Sequence, residues 1–456
     1  MNMTFIFTGT LLSCACAIWA GQVFRQPTEQ ELKQAAVQEL KSPATLHVQK
    51  GNRISVEVCL RDGSVIRGNF SVPPVSSQKI LRESHSNVPL FDARKWGWNK
   101  GSALSRIRGS IRSLKQGSLV VKSGTGADAQ IYTENRDYKL DEHWGCFGRI
   151  PGGRIPADAV VSVDYEKTMR RIDSIFLRDR TLLYRQGREA ASVPQPPAAQ
   201  KGEIRIANIA WIGGEKELTA ENLFPITECC FPIRNGPVAE ELLPRTLKKL
   251  RSGEPLHVLA WGDSVTEGYW GLKQNGKWVD RWQEQFVRAL RTRFPKARIR
   301  LTTEGWGGHN TDHYLATKPG DIHSYQDKVL NRKADLLIFE FLNDSGMRDP
   351  RFTRQYERIL KDLREANPEI EIIAILPHHT SEGRNIDGND SRPYIRLLRE
   401  FCVKHHLAYA DVSHRYSRLH RQGIPPMLLM VNNHNHPLKE GMKVFADTLL
   451  DLFPAQ

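Results

Sequence analysis

The sequence predicts an α/β domain with a mostly parallel sheet over residues 245–456, preceded by a β-rich region over residues 28–235. Two patterns of apolar residues indicate this. After residue 244, short apolar runs alternate with helix-period patterns, which is typical of a doubly wound sheet with helices on both faces. Before it, short runs of alternating polar and apolar residues follow one another, which favours a β-sandwich of jelly-roll type. The length of 456 residues also exceeds what one hydrophobic core normally serves.

The amino terminus resembles an export signal over residues 1–20. Residues 5–19 are apolar and uncharged, and residues 15–17 offer a small-x-small cleavage site. No Lys or Arg precedes Arg25, so the usual positive segment is missing. We expect a secreted or periplasmic protein. Residues 12–14 also resemble the end of a lipoprotein cleavage box, so a membrane contact is expected only through a lipid anchor.

The β-rich region is predicted from period-two patterns. Ile54, Val56 and Val58 alternate with polar residues, and residues 62–63 (Asp-Gly) supply a hairpin turn. Similar runs recur at 119–121, 160–163, 172–177, 181–184 and 204–209. The proline-rich residues 193–199 suit neither a strand nor a helix and are interpreted as a loop. We interpret the whole region as an accessory domain that binds a glycan.

A basic stretch lies inside this region. Residues 94–122 contain eight basic residues and no acidic one, with Trp96 and Trp98 near the start, and the net charge of the chain is +14. Such a charge favours anionic partners, here an acidic polysaccharide. The two tryptophans either stack on sugar rings or pack on the core of a solvated basic loop. Nucleic acid is not an expected partner, because no nucleic-acid-reading motif appears.

The second half supplies strands and helices in alternation. The predicted strands are 257–261, 298–301, 335–341, 371–376 and 407–412. Apolar residues at helical spacing predict the intervening helices, around residues 282–290, 356–363, 397–401 and 442–449.

Residues suited to acyl chemistry follow the predicted strands. Ser264 follows the first strand, residues 305–311 the second and residues 342–344 the third, while residues 433–437 precede the last helix. Carboxyl ends of parallel strands share one edge of a sheet, so these segments should converge there. A serine hydroxyl needs a base to take its proton, and histidine suits that role near neutral pH. The oxyanion that forms needs backbone or amide N–H donors.

The order Ser264, Gly308, Asn343, His436 resembles the sequence blocks of the SGNH hydrolases, also called the GDSL esterase/lipase family. Residues 262–264 (Gly-Asp-Ser) match the first block, and Gly307 is the alternative to Gly308 in the second. The resemblance covers roughly residues 245–456 and no part of the first half. It implies a three-layer α/β/α fold and hydrolysis of esters, often acetyl esters on carbohydrates.

The resemblance also implies roles for single residues. Ser264 is the expected nucleophile and His436 its base, with the N–H groups of Ser264 and Gly308 and the amide of Asn343 as the oxyanion hole. We expect Trp306 and Asp344, which neighbour the second-block and third-block residues, to contact substrate. No metal and no cofactor are expected, because His434 and His436 have no nearby carboxylate in the sequence.

Two positions depart from the family pattern. Phe341 stands where the third block has glycine, and Asn433 stands where the family has the acid that orients the histidine. If Asn433 presents its carbonyl oxygen to the ring, the useful tautomer survives. If it presents its amide, activity should fall by about 10⁴, as in the analogous protease change. We therefore expect a Ser264–His436 dyad assisted by Asn433.

The sequence thus predicts an exported serine esterase that removes acyl groups, acetyl above all, from a carbohydrate. An O-acyltransferase that uses the same serine is one alternative. A non-catalytic glycan-binding protein is another, because Asn433 replaces the usual acid.

Overall fold

A computed structural model describes residues 40–227, 236–380 and 392–455. The predicted export signal over residues 1–20 lies outside these ranges. Within them, no helix has both the length and the apolar character needed to cross a membrane.

The region before residue 227 consists of antiparallel strands. These are β1 (Thr45–Gln49), β2 (Arg53–Cys59), β3 (Val65–Ser71), β4 (Ser77–Ser86), β5 (Ser102–Ala103), β6 (Val120–Lys122), β7 (Tyr138–Asp141), β8 (Cys146–Arg149), β9 (Val160–Thr168), β10 (Arg171–Arg178), β11 (Thr181–Arg185), β12 (Ile204–Trp211) and β13 (Leu223–Pro225).

These strands form two packed units rather than one jelly roll. In the first, sheet β1-β2-β3 packs on sheet β11-β10-β12-β13 through residues such as Val56 and Ile209. In the second, sheet β4-β9-β6 packs on sheet β5-β8-β7 through residues such as Val163 and Phe147. The second unit is inserted in sequence between β3 and β10. Alternation predicted the strands, but the pairing depends on contacts between distant segments.

The second half carries the parallel strands β14 (Pro255–Gly262), β17 (Arg298–Gly305), β18 (Leu336–Glu340), β19 (Glu371–Leu376) and β20 (Ala408–Asp411), with a short hairpin of β15 (Lys273–Gln274) and β16 (Lys277–Trp278). Its α-helices are Ala239–Leu242, Pro244–Ser252, Ser264–Glu267, Trp282–Arg293, Thr311–Ala316, Tyr325–Lys328, Arg351–Ala366, Pro393–Lys404, Val412–Arg418 and Lys439–Leu450.

The predicted α/β class is confirmed. The sheet order is β17-β14-β18-β19-β20, and all four pairs are parallel. Val258 and Leu259 are neighbours in β14 yet belong to apolar cores on opposite sides of the sheet, so helices cover both faces. Gly262 pairs with both Gly305 and Glu340, which brings the ends of three strands to one level. This is the point of the sheet where the strand order reverses, the usual ligand site of such folds.

The β-rich region contacts the α/β domain near its last loops. The Asn208 amide donates to the Gly423 carbonyl over 2.6 Å, and the Ile111 N–H donates to the Asn432 carbonyl over 3.1 Å. Ile172 and Leu428 join one small apolar cluster across the boundary. The loop before the last helix is therefore held by both halves of the chain.

Candidate active site

Ser264 begins a short helix directly after the turn that ends β14. Gly262 fits this turn because it has no side chain: a Cβ there would lie 2.3 Å from the Glu340 carbonyl oxygen and 2.3 Å from the Thr266 hydroxyl. The backbone of the turn therefore packs closely against the neighbouring strand β18. Ser264 follows this turn and is half-buried at the edge of the sheet. The glycine of the Gly-Asp-Ser motif is thus required by packing, because no other residue fits at position 262.

Asp263 ties the serine turn to the turn after β18. Its side chain is fully buried and accepts the Val265 N–H over 3.0 Å and the Asn343 N–H over 2.8 Å. Burial raises the pKa of Asp263 to about 7. The carboxyl of Glu340 lies behind it, and burial together with the charge of Asp263 raises the pKa of Glu340 well above its usual value.

His436 and Ser264 meet in the folded chain. The Nε2 atom of His436 lies 3.0 Å from the Ser264 Oγ, although the residues are 172 positions apart in the sequence. Burial, with a smaller contribution from His434, lowers the pKa of His436 to about 4. The ring is therefore neutral at neutral pH, and the proton sits on one of its two nitrogens.

Asn432 faces the other ring nitrogen of His436. Its Oδ1 accepts the backbone N–H groups of His434, Asn435 and His436 over 3.0–3.1 Å. Its Nδ2 lies 2.9 Å from Asn435 Oδ1 and 3.1 Å from His436 Nδ1. The amide cannot be turned round, because the nitrogen would then face three N–H donors.

The orientation of Asn432 decides the tautomer of His436. An amide N–H directed at Nδ1 needs a lone pair there, so the ring proton belongs on Nε2. The ring then donates to the Ser264 hydroxyl instead of accepting its proton. A triad acid does the opposite, since it accepts from Nδ1–H and leaves Nε2 free to act as a base.

Asn433, the residue expected to orient the ring, lies elsewhere. Its side chain is buried and its Nδ2 donates to the Ile212 carbonyl of the β-rich region over 2.8 Å. Its φ of +57° is a left-handed conformation that asparagine tolerates better than most residues. The chain turns at this residue, so its side chain anchors the loop to the other half of the protein while Asn432 occupies the position at the ring.

The expected oxyanion donors lie on two further turns, both hydrogen-bonded to the serine turn through the Asn343 N–H and the Trp306 N–H. Asn343 is exposed, and its Nδ2 donates to the His309 carbonyl over 2.9 Å, which fixes the amide and leaves its second hydrogen available. Gly308 has a φ of +74° and open space around its Cβ position. Gly307 is nearer to the nucleophile, because a Cβ there would lie 3.8 Å from that of Ser264.

The two residues expected to contact substrate are already engaged within the protein. The Trp306 ring stacks on His309 and on His323, with centroid distances of 3.8 and 4.7 Å. The Asp344 side chain is buried and accepts the hydroxyls of Thr311 and Tyr356 over 2.7 and 2.9 Å. These contacts support the turns around the site from within, and a contact of either side chain with substrate stays a prediction.

Sequence reasoning missed Asn432 and the support behind the histidine loop. His378 is fully buried, and its Nε2 donates to the Asn435 carbonyl over 3.2 Å. Trp144 of the β-rich region packs edge-on against His434 with a centroid distance of 5.1 Å. No spacing rule selects Asn432 over Asn433, because the choice depends on the turn between them.

Comparison with known proteins assigns the second half of the chain. Residues 260–444 match the model of the GDSL-like lipase/acylhydrolase family. Comparison with the curated proteins gives no match. Among solved structures, the chain is similar to a two-domain esterase active on acetylated mannans, with 16% identity and a TM-score of 0.38. That likeness covers 47% of this chain and 54% of the other, so the chain spans about half of that protein's length.

Two further solved structures show the same level of likeness. An acetyl xylan esterase from Geobacillus stearothermophilus is 19% identical with a TM-score of 0.34, over 44% of this chain and 97% of that one. An α/β hydrolase from the metagenome of Lake Arreo, Spain, is 21% identical with a TM-score of 0.34, over 43% and 93%. The assignment itself rests on the family match, which spans the serine turn and the histidine loop. Residues 260–444 therefore form a GDSL-like lipase/acylhydrolase domain, a domain type of carboxylic ester hydrolases.

Proposed function

We propose that this protein is an exported esterase that removes acyl groups, acetyl above all, from a carbohydrate, with Ser264 as the nucleophile and His436 as its base. The observation that carries the proposal is the 3.0 Å contact between His436 Nε2 and Ser264 Oγ at the edge of the parallel sheet. Export is proposed from residues 1–20, which have the composition of a signal peptide, with the periplasm or the medium as the destination.

The proposed reaction begins when the Ser264 oxygen attacks the acyl carbon and His436 takes the hydroxyl proton. The oxyanion that forms would accept the N–H groups of Ser264 and of Gly308 or Gly307, together with the amide of Asn343. His436 then protonates the departing sugar oxygen. Water, deprotonated by the same ring, hydrolyses the acyl-serine.

This sequence of steps requires His436 to carry its proton on Nδ1, and Asn432 opposes that. The competent tautomer would point Nδ1–H at the Asn432 amide, which costs a hydrogen bond and brings two donors together, about 1–3 kcal/mol. The protonated ring formed during catalysis also lacks a carboxylate partner. We therefore propose a slow hydrolase, whose turnover is limited by Asn432 rather than by the position of the nucleophile.

The carbohydrate substrate is proposed because the exposed ring of Trp96 contacts His434 on the histidine loop. An acidic character of that carbohydrate is supported by the net charge of +14. The basic stretch 94–122 gives less support, because half of its cations form ion pairs. These pairs are Arg94–Asp92, Lys100–Asp141, Lys115–Glu166 and Lys122–Asp164.

A second candidate function is favoured by the Asn432 amide at the ring. A protein with this histidine loop could bind an acylated glycan and turn it over too slowly to matter. Labelling by a fluorophosphonate separates the two functions, because a serine without an effective base should not label. Transfer of the acyl group to an added glycan, measured against hydrolysis, tests the O-acyltransferase alternative.

The direct test of the proposal is turnover of 4-nitrophenyl acetate by the wild type and by Ser264→Ala. We expect the substitution to reduce the rate to the uncatalysed background, because the acyl-serine can no longer form. Equal rates for the two proteins would remove Ser264 from the mechanism. A matched control is Ser345→Ala, since the Ser345 hydroxyl bonds the Leu342 carbonyl over 2.6 Å and we assign it no part in the chemistry.

A further inference from the structure

A half-exposed tryptophan of the β-rich region stands beside the candidate active site. Trp96 is 54% exposed, and its ring lies 5.7 Å from that of His434, centroid to centroid. His434 is two residues from His436 on the same short loop. An indole contributed by one half of the chain thus borders the loop that carries the proposed base in the other half.

The Trp96 ring packs against two further tryptophans of the β-rich region. Trp144 is 4% exposed and its ring lies 4.9 Å from that of Trp96. The Trp98 ring lies 5.2 Å from that of Trp96 and 5.5 Å from that of Trp144. Gly97 approaches the Trp144 ring so closely that a Cβ would lie 3.6 Å from it. Packing of this kind holds the exposed ring in one orientation, which lowers the entropy cost of binding a ligand against it.

A second exposed aromatic residue, Tyr269, lies in the segment after the serine helix, near Leu438 at the end of the histidine loop. Tyr269 is 44% exposed, and a Cβ at Gly271 would lie 3.8 Å from Tyr269 Cδ1 and 3.1 Å from Leu438 Cδ2. Among the side chains whose exposure the structure describes, the remaining exposed large apolar ones are aliphatic. The two exposed aromatic side chains therefore lie near His434 and Leu438, two residues on either side of His436.

We propose that Trp96 is a sugar-stacking subsite, where the apolar C–H face of a pyranose ring packs on the indole while an ester on the same oligosaccharide reaches Ser264. Tyr269 flanks the other end of the same glycan. The inference rests on the proposed function for the ester, but the stacking itself does not require turnover. Flat, amphipathic aromatic rings suit a ligand that has both an apolar face and polar edges.

The size of the aromatic patch favours a sugar over a protein partner. A stable protein interface buries about 1,200–2,000 Å² in total, whereas one half-exposed indole and one half-exposed phenol offer far less. A pyranose ring covers an area comparable to a single indole. The patch also borders the loop that carries His436, which a separate protein-docking surface would not need.

The test compares two kinds of substrate in wild type and Trp96→Ala. One is 4-nitrophenyl acetate, which carries no sugar ring, and the others are O-acetylated xylo-oligosaccharides and manno-oligosaccharides. We expect kcat/KM on at least one oligosaccharide to fall about tenfold, mainly through KM, with the small ester unchanged. Trp96→Phe should recover part of the loss, and Ile131→Ala, which removes a 60% exposed apolar side chain elsewhere in the β-rich region, should change neither rate.

Binding separates failure of the subsite from failure of the proposed function. Calorimetry with the Ser264→Ala variant and the same oligosaccharides should show binding that Trp96→Ala weakens to a similar extent. An equal loss on both substrate kinds would mean that Trp96 acts only by holding the histidine loop, and would overturn the subsite. Unchanged rates and binding, or no binding of either oligosaccharide before the substitution, would overturn it as well. A wild type that binds but hydrolyses nothing would overturn the esterase and leave the subsite standing.

Discussion

The serine turn and the histidine loop form the two sides of the same site, and they are held in different ways. The serine turn is fixed inside the α/β domain by Asp263, whose buried carboxyl accepts N–H groups from its own turn and from Asn343. The histidine loop is anchored on the β-rich region, through Asn433 to the Ile212 carbonyl and through His434 to Trp144. The position of the proposed nucleophile is a local property of one domain, whereas the position of the proposed base depends on two.

The two sides also differ in how they match the chemistry. On the serine side, motif residues occupy positions that the fold requires. On the histidine side, the ring is at the right distance, but its hydrogen-bond partner specifies the wrong tautomer. The distance from His436 to Ser264 alone therefore does not establish a working base. The decisive contact is that between Asn432 Nδ2 and His436 Nδ1.

The largest expected effect comes from Asn432→Asp. The new carboxylate keeps one oxygen on the three backbone N–H groups and presents the other to His436 Nδ1–H, while the half-buried Asn435 amide can turn to donate to it. The wild-type tautomer is thereby reversed. We expect kcat on 4-nitrophenyl acetate to rise by between about 10²- and 10⁴-fold. An unchanged kcat would show that Asn432 does not limit the wild-type rate.

Asn433→Asp is the matched control, because the family pattern alone would place the missing acid at residue 433. In the structure this carboxylate would face the Ile212 carbonyl, which would keep the Arg170 Nε–H as a donor but lose the amide and gain a repulsive oxygen neighbour. We expect no gain in kcat and a loss of about 1–3 kcal/mol in the free energy of unfolding. Thermal denaturation and the ester assay together decide between the two positions, and a gain for Asn433→Asp alone would reverse our assignment.

The pH dependence of kcat/KM gives a finer test of the histidine side. The pKa of His436 is lowered to about 4 by burial and by His434, and only the neutral ring accepts a proton. The rate should therefore stay level as the pH falls through 6 and decline only near pH 4. In Asn432→Asp a carboxylate stabilises the charged ring, so the acid limb should move to higher pH. A wild-type limb near 6.5 would contradict the burial of the ring.

The smallest expected effect concerns the carboxyl behind the serine turn. The pKa of Glu340 is raised in the folded state, so its contribution to stability is complete below about pH 4.5 and is lost as the pH rises through the folded value. Glu340→Gln carries no charge at any of these pH values. We expect the difference in Tm between the variant and the wild type to increase from pH 5 to pH 8. The increase should be about 2–4 °C for each kcal/mol of stability that the wild type loses. Parallel curves of Tm against pH would show that Glu340 does not titrate in this range. The pKa of Asp263 is also raised, so the Tm of both proteins should still fall somewhat as the pH rises.

Much of the fold follows from the sequence because its signals are local. The strand predicted at 371–376 is found at Glu371–Leu376, and the predicted strands at 257–261 and 298–301 are extended by a few residues at their ends. Apolar runs and turn residues act over one element, and parallel order then places Ser264, Asn343 and the glycines at one edge. The two-unit arrangement of the β-rich region did not follow, because alternation fixes which face of a strand is buried but not which strand lies beside it.

The sequence by itself determined the α/β class, the serine, and the four segments that gather around it, since each depends on a local pattern and on the direction of parallel strands. The tertiary structure alone decided that Asn432 rather than Asn433 faces His436, that Trp306 and Asp344 are engaged within the protein, and that Trp96 borders the site. These outcomes depend on a left-handed turn at Asn433 and on contacts between the two halves of the chain. Neither has a local signature, because such a contact is fixed only once both halves have folded against each other.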